Sequence, residues 1–139
     1  MALCLDASAA IEAILPRPAR PVVRRFLLDS ISTGERLVAP PLLLAETTSV
    51  LRRYVHLGEI EHREAVTALQ DLLALPIAII RGPNIYLRAL ELAHRLGHAR
   101  AYDVQYLAVA DLEGCPIITL DGGLYRSALT LGIDAHLLP

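Results

Sequence analysis

Near its amino terminus the chain reads Ala2-Leu3-Cys4-Leu5-Asp6-Ala7-Ser8-Ala9-Ala10-Ile11. An apolar run that reaches an acid and then takes on a helical spacing predicts a buried parallel strand followed by a helix. Ligands of open α/β sheets bind outside the carboxyl ends of the strands. Asp6 therefore lies where a ligand is expected, although the same carboxylate could do no more than cap the helix that follows it.

Strand and helix signals alternate along the rest of the chain. The apolar runs predict further strands at residues 37–39, 77–80, 116–120 and 135–138, the last of them at an edge of the sheet. Proline and glycine delimit seven predicted helices, at residues 8–15, 18–31, 42–56, 61–75, 85–96, 101–112 and 123–131. This alternation predicts an α/β fold in which helices flank a central parallel sheet of four to five strands.

The composition fits one globular domain spanning residues 1–139. Hydrophobic residues make up 54% of the chain and charged residues 20%, which is enough apolar material for a packed core. The apolar runs are too short to span a membrane, and no secretion signal is visible before the first strand. Cys4 and Cys115 lack the spacing of a metal site. We therefore expect a cytoplasmic protein.

The charge balance bears on the partners of the protein. The formal net charge is -2, which argues against a broad nucleic-acid-binding surface. All 13 basic residues are arginines, whose planar side chains favour bidentate contacts with phosphate. The arginine content could equally reflect the base composition of the genome. Charge alone therefore does not identify a nucleic-acid-binding protein.

A second acid repeats the arrangement at Asp6. Asp121 ends the apolar run at residues 116–120 and precedes two glycines and a helix. If the two strands are neighbours in a parallel sheet, they lie about 5 Å apart and their terminal carboxylates share one crevice. Unpaired acids that close repel each other, and the pKa of at least one of them rises. A divalent cation such as Mg²⁺ or Mn²⁺ removes this conflict, since both ions prefer oxygen ligands.

Glu46 and Asp103 are acids in apolar helical surroundings. The helix neighbours of Glu46 include Leu42, Leu43 and Val50, which puts its charge on or beside a face that packs. A buried charge is costly unless it is paired or binds a metal. Asp103 lies near the start of a predicted helix, where the helix dipole also favours an acid. One shared site accounts for all four acids, whereas the alternative needs a separate reason for each.

These residues carry a resemblance to PIN-domain ribonucleases of the VapC toxin type. The matching motifs are Leu5-Asp6-Ala7-Ser8, Glu46 between Pro41 and Val50-Leu51, Ala101-Tyr102-Asp103-Val104-Gln105-Tyr106-Leu107-Ala108-Val109-Ala110 and Ile118-Thr119-Leu120-Asp121. They span nearly the whole chain in the order and spacing usual for the family. The resemblance implies that four carboxylates bind the metal and are catalytic, namely Asp6, Glu46, Asp103 and Asp121. It also implies supporting roles for Ser8 and Thr119, while Ser49 departs from the asparagine common at its position.

The resemblance further implies a function. A protein of this type is an endoribonuclease that hydrolyses RNA phosphodiester bonds with Mg²⁺ or Mn²⁺, and it is the toxin of a type II toxin–antitoxin pair. The implied partners are RNA, a cognate antitoxin and a second copy of the chain. The apolar helices at residues 42–56 and 61–75 agree with a homodimer, unless they only fill the core. Candidates for RNA contact are Arg52, Arg53 and Arg100, each of which could instead be a solubilising surface residue.

Other classes of protein fit the sequence less well. A PIN-type nuclease outside a toxin–antitoxin pair stays open, as does a non-catalytic PIN-type module that binds RNA or protein, although the four acids count against the latter. An aspartate-dependent phosphotransferase needs a second acid at Ser8, and a receiver domain needs a lysine, which the chain lacks. His94 and His98 have helical spacing but no zinc-protease glutamate, and no glycine-rich phosphate-binding motif is present.

Overall fold

The computed structural model describes all residues, 1–139, and contains a five-stranded parallel sheet flanked by seven helices. The strands are β1 (Ala2–Leu5), β2 (Arg36–Ala39), β3 (Ile77–Ile79), β4 (Ile117–Thr119) and β5 (Ala135–Leu137). The helices are α1 (Ala7–Ile14), α2 (Arg20–Ser32), α3 (Leu42–His56), α4 (His62–Ala74), α5 (Pro83–Leu96), α6 (Val104–Glu113) and α7 (Gly122–Thr130). The predicted α/β fold with a parallel sheet of four to five strands is confirmed.

The helix boundaries agree closely with the prediction, with one exception. Gly97 follows α5 with a φ angle of 70°, the left-handed conformation that glycine adopts without strain, and so ends the helix where expected. The exception is α6, which begins at Val104 instead of residue 101. The backbone N–H of Gln105 bonds to the carbonyl of Tyr102, so the residues before the helix form a turn. Asp103 therefore lies directly before α6 and not inside it.

The strand order is β3-β2-β1-β4-β5. The chain leaves β1 on one side for β2 and β3, and later returns to its other side for β4 and β5. β1 pairs with β4 in parallel, with Cys4 opposite Ile117 and Leu5 opposite Ile118. The order therefore reverses between these two strands. In an open α/β sheet, a crevice that binds ligands forms outside the carboxyl ends of the strands at such a point.

Apolar side chains from the sheet and from the helices on it make the core. Leu3, Leu5, Ile117 and Ile118, in the two central strands, are almost fully buried, as expected for parallel strands covered on both faces. Among the helices, α1 packs against α2, α3 and α4, while α5 and α6 pack against each other. No helix is both long and apolar enough to cross a membrane. This scaffold fixes the carboxyl ends of β1 and β4 relative to each other.

Candidate active site

Asp6 directly follows β1 and is only 3% exposed. Its Oδ1 accepts hydrogen bonds from the backbone N–H of Ala9, at 2.9 Å, and from the Ser8 hydroxyl, at 2.8 Å. The bond from Ala9 caps α1, so the cap that the sequence offered as an alternative role exists. Its Oδ2 also accepts a bond, from the Thr119 hydroxyl at 2.5 Å. Asp6 is thus held at both oxygens, which is more than a cap requires.

Ser8 and Thr119 tie the ends of the two central strands together. The Ser8 hydroxyl donates to Asp6 and accepts from the backbone N–H of Leu120 at 2.9 Å. The Thr119 hydroxyl donates to Asp6 and accepts from the backbone N–H of Asp121 at 2.9 Å. The two hydroxyl oxygens lie 3.2 Å apart. The predicted supporting residues therefore both lie against Asp6 and connect the turn after β1 with the turn after β4.

Asp121 occupies the equivalent place after β4. Its Oδ1 accepts hydrogen bonds from the backbone N–H groups of Gly123, at 2.8 Å, and Leu124, at 3.2 Å, and so caps α7. The residue is exposed, in contrast to Asp6. Both hydrogen bonds from the backbone go to Oδ1, which leaves Oδ2 to face solvent or a ligand.

Glu46 projects from α3 and is half-buried. Its Oε1 accepts a hydrogen bond from the phenol of Tyr106, at 3.2 Å. Tyr106 belongs to α6 and is only 2% exposed. Burial, and then the charge of Glu46, raise the pKa of this phenol far above its usual value, so Tyr106 stays protonated and acts as a donor. A neighbouring helix therefore orients the Glu46 carboxylate.

Asp103 is the least constrained of the four acids. It is exposed, and its side chain makes no capping hydrogen bond to α6 despite lying at the start of the helix. The helix dipole still favours a negative charge at this position. Its backbone carbonyl accepts the N–H of Tyr106 at 3.2 Å, which places the two residues in one turn. The carboxylate itself accepts no hydrogen bond from the protein, so both of its oxygens are free.

One cavity of about 320 Å³ is lined by all four acids. It lies at the carboxyl ends of β1 and β4, where the strand order reverses. No three His, Cys, Asp or Glu side chains are close enough to one another to hold a single metal ion together. The carboxylates thus face a common space without forming a tight cage, and an ion bound there would keep part of its water shell.

Burial weakens two of these acids. It is the main cause that raises the pKa of Asp6, helped by the charge of Asp121 and opposed by the hydrogen bonds that Asp6 accepts. Burial also raises the pKa of Glu46, helped by the charge of Asp103 and opposed by the bond from the phenol. The sequence predicts a raised pKa for at least one of Asp6 and Asp121, and the pKa of Asp6 is raised. The larger cause is desolvation, however, and not the repulsion on which the expectation rested.

Sequence reasoning missed a fifth carboxylate in this cavity. Glu12, on α1, lines the cavity, and its Oε2 is buried without a hydrogen-bond partner. Glu12 follows Ser8 by four residues, a spacing that puts both on one face of a helix. Tyr106 was missed in the same way, although it follows Asp103 by three residues. In both cases the helical spacing from a recognised site residue was the available signal.

The three arginines predicted to contact RNA differ in their placement. Arg53 lines the acidic cavity, and Arg100 lines an adjacent cavity of about 700 Å³ that shares Asp103 and Asp121 with it. Arg52 lines neither. An α-helix turns about 100° per residue, so Arg53, seven residues after Glu46, returns to nearly the same face, whereas Arg52, six residues after it, points about a third of a turn away.

Comparison with known proteins gives consistent matches. The family model of the PIN domain matches residues 3–128. Ribonuclease VapC12 of Mycobacterium tuberculosis is 34% identical over 125 residues, which cover 90% of this chain and 91% of that protein. Ribonuclease VapC1 of the same species is 36% identical over 122 residues, or 86% of each chain. The crystal structure of VapBC2 from Rickettsia felis, bound to a DNA fragment from their promoter, matches the fold with a TM-score of 0.71 and 14% identity over 100% of both chains.

Proposed function

Because the chain belongs to the PIN-domain family and to its VapC-type ribonucleases, we propose that it is a metal-dependent endoribonuclease and the toxin of a toxin–antitoxin pair. The observation that carries this proposal is the single cavity lined by Asp6, Glu46, Asp103 and Asp121. The whole chain, residues 1–139, would act as one PIN domain.

The donor chemistry of the cavity fits Mg²⁺ or Mn²⁺. Every candidate ligand is a carboxylate oxygen, and these ions prefer oxygen. Mg²⁺ usually keeps several waters and binds through one or two carboxylates, which agrees with a cavity whose acids do not form a cage. Both oxygens of Asp103 and the second oxygen of Asp121 accept no hydrogen bond from the protein, so these oxygens would be free to bind the ion.

An ion bound there would supply a water molecule of lowered pKa and would neutralise the charge that develops on the phosphate. The chain itself holds and orients the acids. Ser8 and Thr119 fix the Asp6 carboxylate by hydrogen bonds, and the phenol of Tyr106 fixes Glu46. Burial raises the pKa of Asp6 and Glu46, and a cation bound beside them would lower both values and so favour the ionised carboxylates.

Arginines at the rim would contact the substrate. Arg53 and Arg100 lie beside the acids, in adjoining cavities, where their side chains can bind the phosphates of an RNA strand. Arg52 lines neither cavity and is the weakest of the three candidates. RNA bound across the acids would therefore be held on both sides of the reacting phosphate.

The proposed partners are an antitoxin and a second copy of the chain. The antitoxin follows from the family and from the likeness to VapBC2. For the homodimer, the support lies in α5, which exposes Tyr86, Leu87 and Leu90 by 53%, 66% and 67%. The apolar residues of α3 mostly fill the core instead, as Leu43 and Leu51 do. Both cysteines are free, which agrees with a reducing cytoplasm.

A cleavage assay tests the activity. Purified protein should cut single-stranded RNA with Mg²⁺ or Mn²⁺, and EDTA should abolish the cleavage. Asp6→Asn should be inactive in the same preparation, whereas Asp29→Asn, an exposed acid on α2, should cleave like the wild type. A chain that binds RNA but cleaves none with either metal would support the alternative of a non-catalytic PIN-type module.

Growth tests the toxin role separately. Expression of the wild-type chain should arrest growth, Asp6→Asn should not, and a cognate antitoxin should relieve the arrest. A chain that cleaves RNA in vitro but leaves growth unaffected at high soluble expression would be a PIN-type nuclease outside a toxin–antitoxin pair.

A further inference from the structure

Two arginines and one tyrosine meet beside the acidic cavity. Tyr54 lies near the end of α3, and its ring has the Arg17 Cζ 4.5 Å from its centroid and the Arg53 Cζ at 5.8 Å. Arg17 comes from the turn between α1 and α2, so the contact joins two elements. We call these three residues the arginine–tyrosine cluster. Attraction between a guanidinium and the face of an aromatic ring holds both arginines in place.

Neither arginine of the cluster has an anionic partner in the protein. The salt bridges of the chain involve other arginines, namely Arg36, Arg63 and Arg88. The side-chain hydrogen bonds donated by arginine come from Arg24 and Arg36. Two cations that approach the same ring repel each other unless an anion lies between or beside them. Neither the Arg17 nor the Arg53 guanidinium donates a hydrogen bond to another group of the protein, so the fork of N–H donors on each can meet a phosphate.

The cluster is continuous with the candidate active site. Arg53 and Tyr54 line the cavity that holds the four acids. Arg53 follows Glu46 by seven residues of α3, which is about 10 Å along the helix and on nearly the same face. An anion at the cluster would therefore be a neighbour of the group at the acids. An acidic cavity repels RNA from a distance, and a local pair of cations offsets this repulsion.

We propose that the arginine–tyrosine cluster binds the RNA backbone, at a phosphate next to the one that is cut. The proposal rests on the proposed function, because it takes RNA as the ligand. It adds Arg17 and Tyr54 to the site and gives Arg53 a defined role. Arg100, in the cavity that shares Asp103 and Asp121, then marks the other side, so the strand runs from the cluster across the acids towards Arg100.

The salt dependence of cleavage tests this site. The substrate is a ten-nucleotide single-stranded RNA, cut by the full chain with Mg²⁺ over a series of salt concentrations. Arg17→Gln and Arg53→Gln should each raise KM and leave kcat nearly unchanged, because they bind and do not react. Each should also reduce the slope of log(kcat/KM) against log salt by about 0.7, the value for one phosphate contact with a single strand, and the double variant by about 1.4.

Arg36→Gln is the matched control. It removes the same charge, but Arg36 begins β2, at the amino ends of the strands and thus opposite the acids. Its slope and KM should equal those of the wild type. If the wild type cleaves RNA and the cluster variants behave like Arg36→Gln, the proposed role of the cluster in phosphate binding is wrong, while the nuclease activity stands.

If the wild type does not cleave, binding of the same RNA is measured by fluorescence anisotropy over the same salt series. If Arg17→Gln and Arg53→Gln then reduce the slope of log affinity against log salt, the cluster binds RNA although the chain is not a nuclease. Slopes equal to that of the wild type would contradict the proposal.

Tyr54 supplies a second readout. Tyr54→Phe keeps the aromatic face and should retain the wild-type KM and salt slope, whereas Tyr54→Leu loses that face and should raise KM. Thermal melts of both variants show whether the fold is kept, since Tyr54 packs partly against the core. Equal KM values for the phenylalanine and leucine variants would show that the ring does not position the arginines. Arg53 is exposed and Arg17 partly buried, and their variants test phosphate binding independently of the ring.

Discussion

The four acids of the cavity fall into two pairs that the protein treats differently. Asp6 and Asp121 follow central strands, and each accepts hydrogen bonds from the backbone of the helix that begins after it. Glu46 lies on α3 and Asp103 directly before α6, and neither side chain caps a helix. Glu46 accepts one bond, from the phenol of Tyr106, and the Asp103 side chain accepts none.

The difference gives two of the four acids a structural role in addition to their place in the cavity. Asp6 and Asp121 stabilise the turns after β1 and β4 through the backbone hydrogen bonds that they accept, and these bonds fix the position of each carboxylate. Glu46 and Asp103 accept no hydrogen bond from the backbone, so they contribute less to the stability of the fold and keep oxygens free for a ligand. A helix cap and a ligand site are therefore compatible roles for Asp6, and the sequence alone could not distinguish one role from both.

The largest effect that separates the two pairs should come from Asp103→Asn. We expect cleavage to fall about a thousandfold, or about 4 kcal/mol of transition-state stabilisation, because a candidate ligand with both oxygens free is lost. We expect the free energy of unfolding of the metal-free protein to change by no more than about 0.5 kcal/mol, since the side chain is exposed and unbonded. Single-turnover cleavage and urea unfolding measure the two quantities.

Asp134→Asn is the control for Asp103→Asn. Asp134 is an exposed acid just before β5, at the amino ends of the strands and thus opposite the four acids. It should change neither cleavage nor stability. Cleavage by Asp103→Asn at the wild-type rate would remove this residue from the site, and a large loss of stability would show that the two pairs do not differ as described.

A smaller effect, on stability, should distinguish the two strand-end acids. Asp6→Ala removes the acceptor of three donors, namely the Ser8 and Thr119 hydroxyls and the Ala9 N–H. One of the two hydroxyls, 3.2 Å apart, can donate to the other, which leaves two donors without an acceptor. Relief of a buried charge offsets part of this cost, and we expect a net loss of about 2–3 kcal/mol in the free energy of unfolding. Asp121→Ala removes a cap at an exposed site and should cost about 1 kcal/mol.

Urea unfolding of the two alanine variants makes this comparison directly. The matched substitutions Asp6→Asn and Asp121→Asn test the same point, because asparagine keeps a carbonyl oxygen that can cap a helix. Asp121→Asn should be close to the wild type, while Asp6→Asn should recover only part of the loss, since it has one acceptor where Asp6 uses two. Equal losses for Asp6→Ala and Asp121→Ala would contradict the view that Asp6 anchors both turns.

The contrast between the pairs also explains what the sequence predicts and what it does not. The strand ends at Asp6 and Asp121 were predictable, because an apolar run, an acid and a helix follow one another directly along the chain. Their closeness followed only on the condition that β1 and β4 are neighbours, which the strand order now satisfies. Local sequence patterns therefore predict the helices and strands, whereas the order of the strands in the sheet determines which side chains meet in the cavity.

Contacts between distant helices were beyond local patterns. Tyr106 bonds to Glu46 across 60 positions of sequence, and Arg17 reaches Tyr54 from a turn whose path no periodicity specifies. Such pairs depend on how α3 packs against its neighbours. The face of a single helix is easier to predict, and Glu12, four residues after Ser8, could have been recognised on that ground.

The smallest expected effect concerns the pH dependence of stability in the metal-free protein. The pKa of Glu46 is raised, first by burial and then by the charge of Asp103. Between the ordinary carboxyl range and this raised value, the native state therefore holds a proton that the unfolded chain has released, and stability falls as pH rises through that window. Glu46→Gln removes this contribution, so its free energy of unfolding should fall less steeply with pH. Some slope should remain, because Asp6 also has a raised pKa.

Tyr106→Phe should change the same slope in the opposite direction. The phenol stabilises the ionised form of Glu46 and so opposes the rise of its pKa. Without that hydrogen bond, the pKa of Glu46 rises further, and the loss of stability should extend to higher pH. Urea unfolding at a series of pH values in EDTA measures the wild type, both variants and Glu59→Gln, an exposed glutamate just beyond α3 that should leave the slope unchanged. The double variant Glu46→Gln/Tyr106→Phe should show the slope of Glu46→Gln alone, because the phenol acts on this slope through Glu46. A slope in the double variant that differs from that of Glu46→Gln would show that Tyr106 affects the pH dependence of stability by a route other than its hydrogen bond to Glu46.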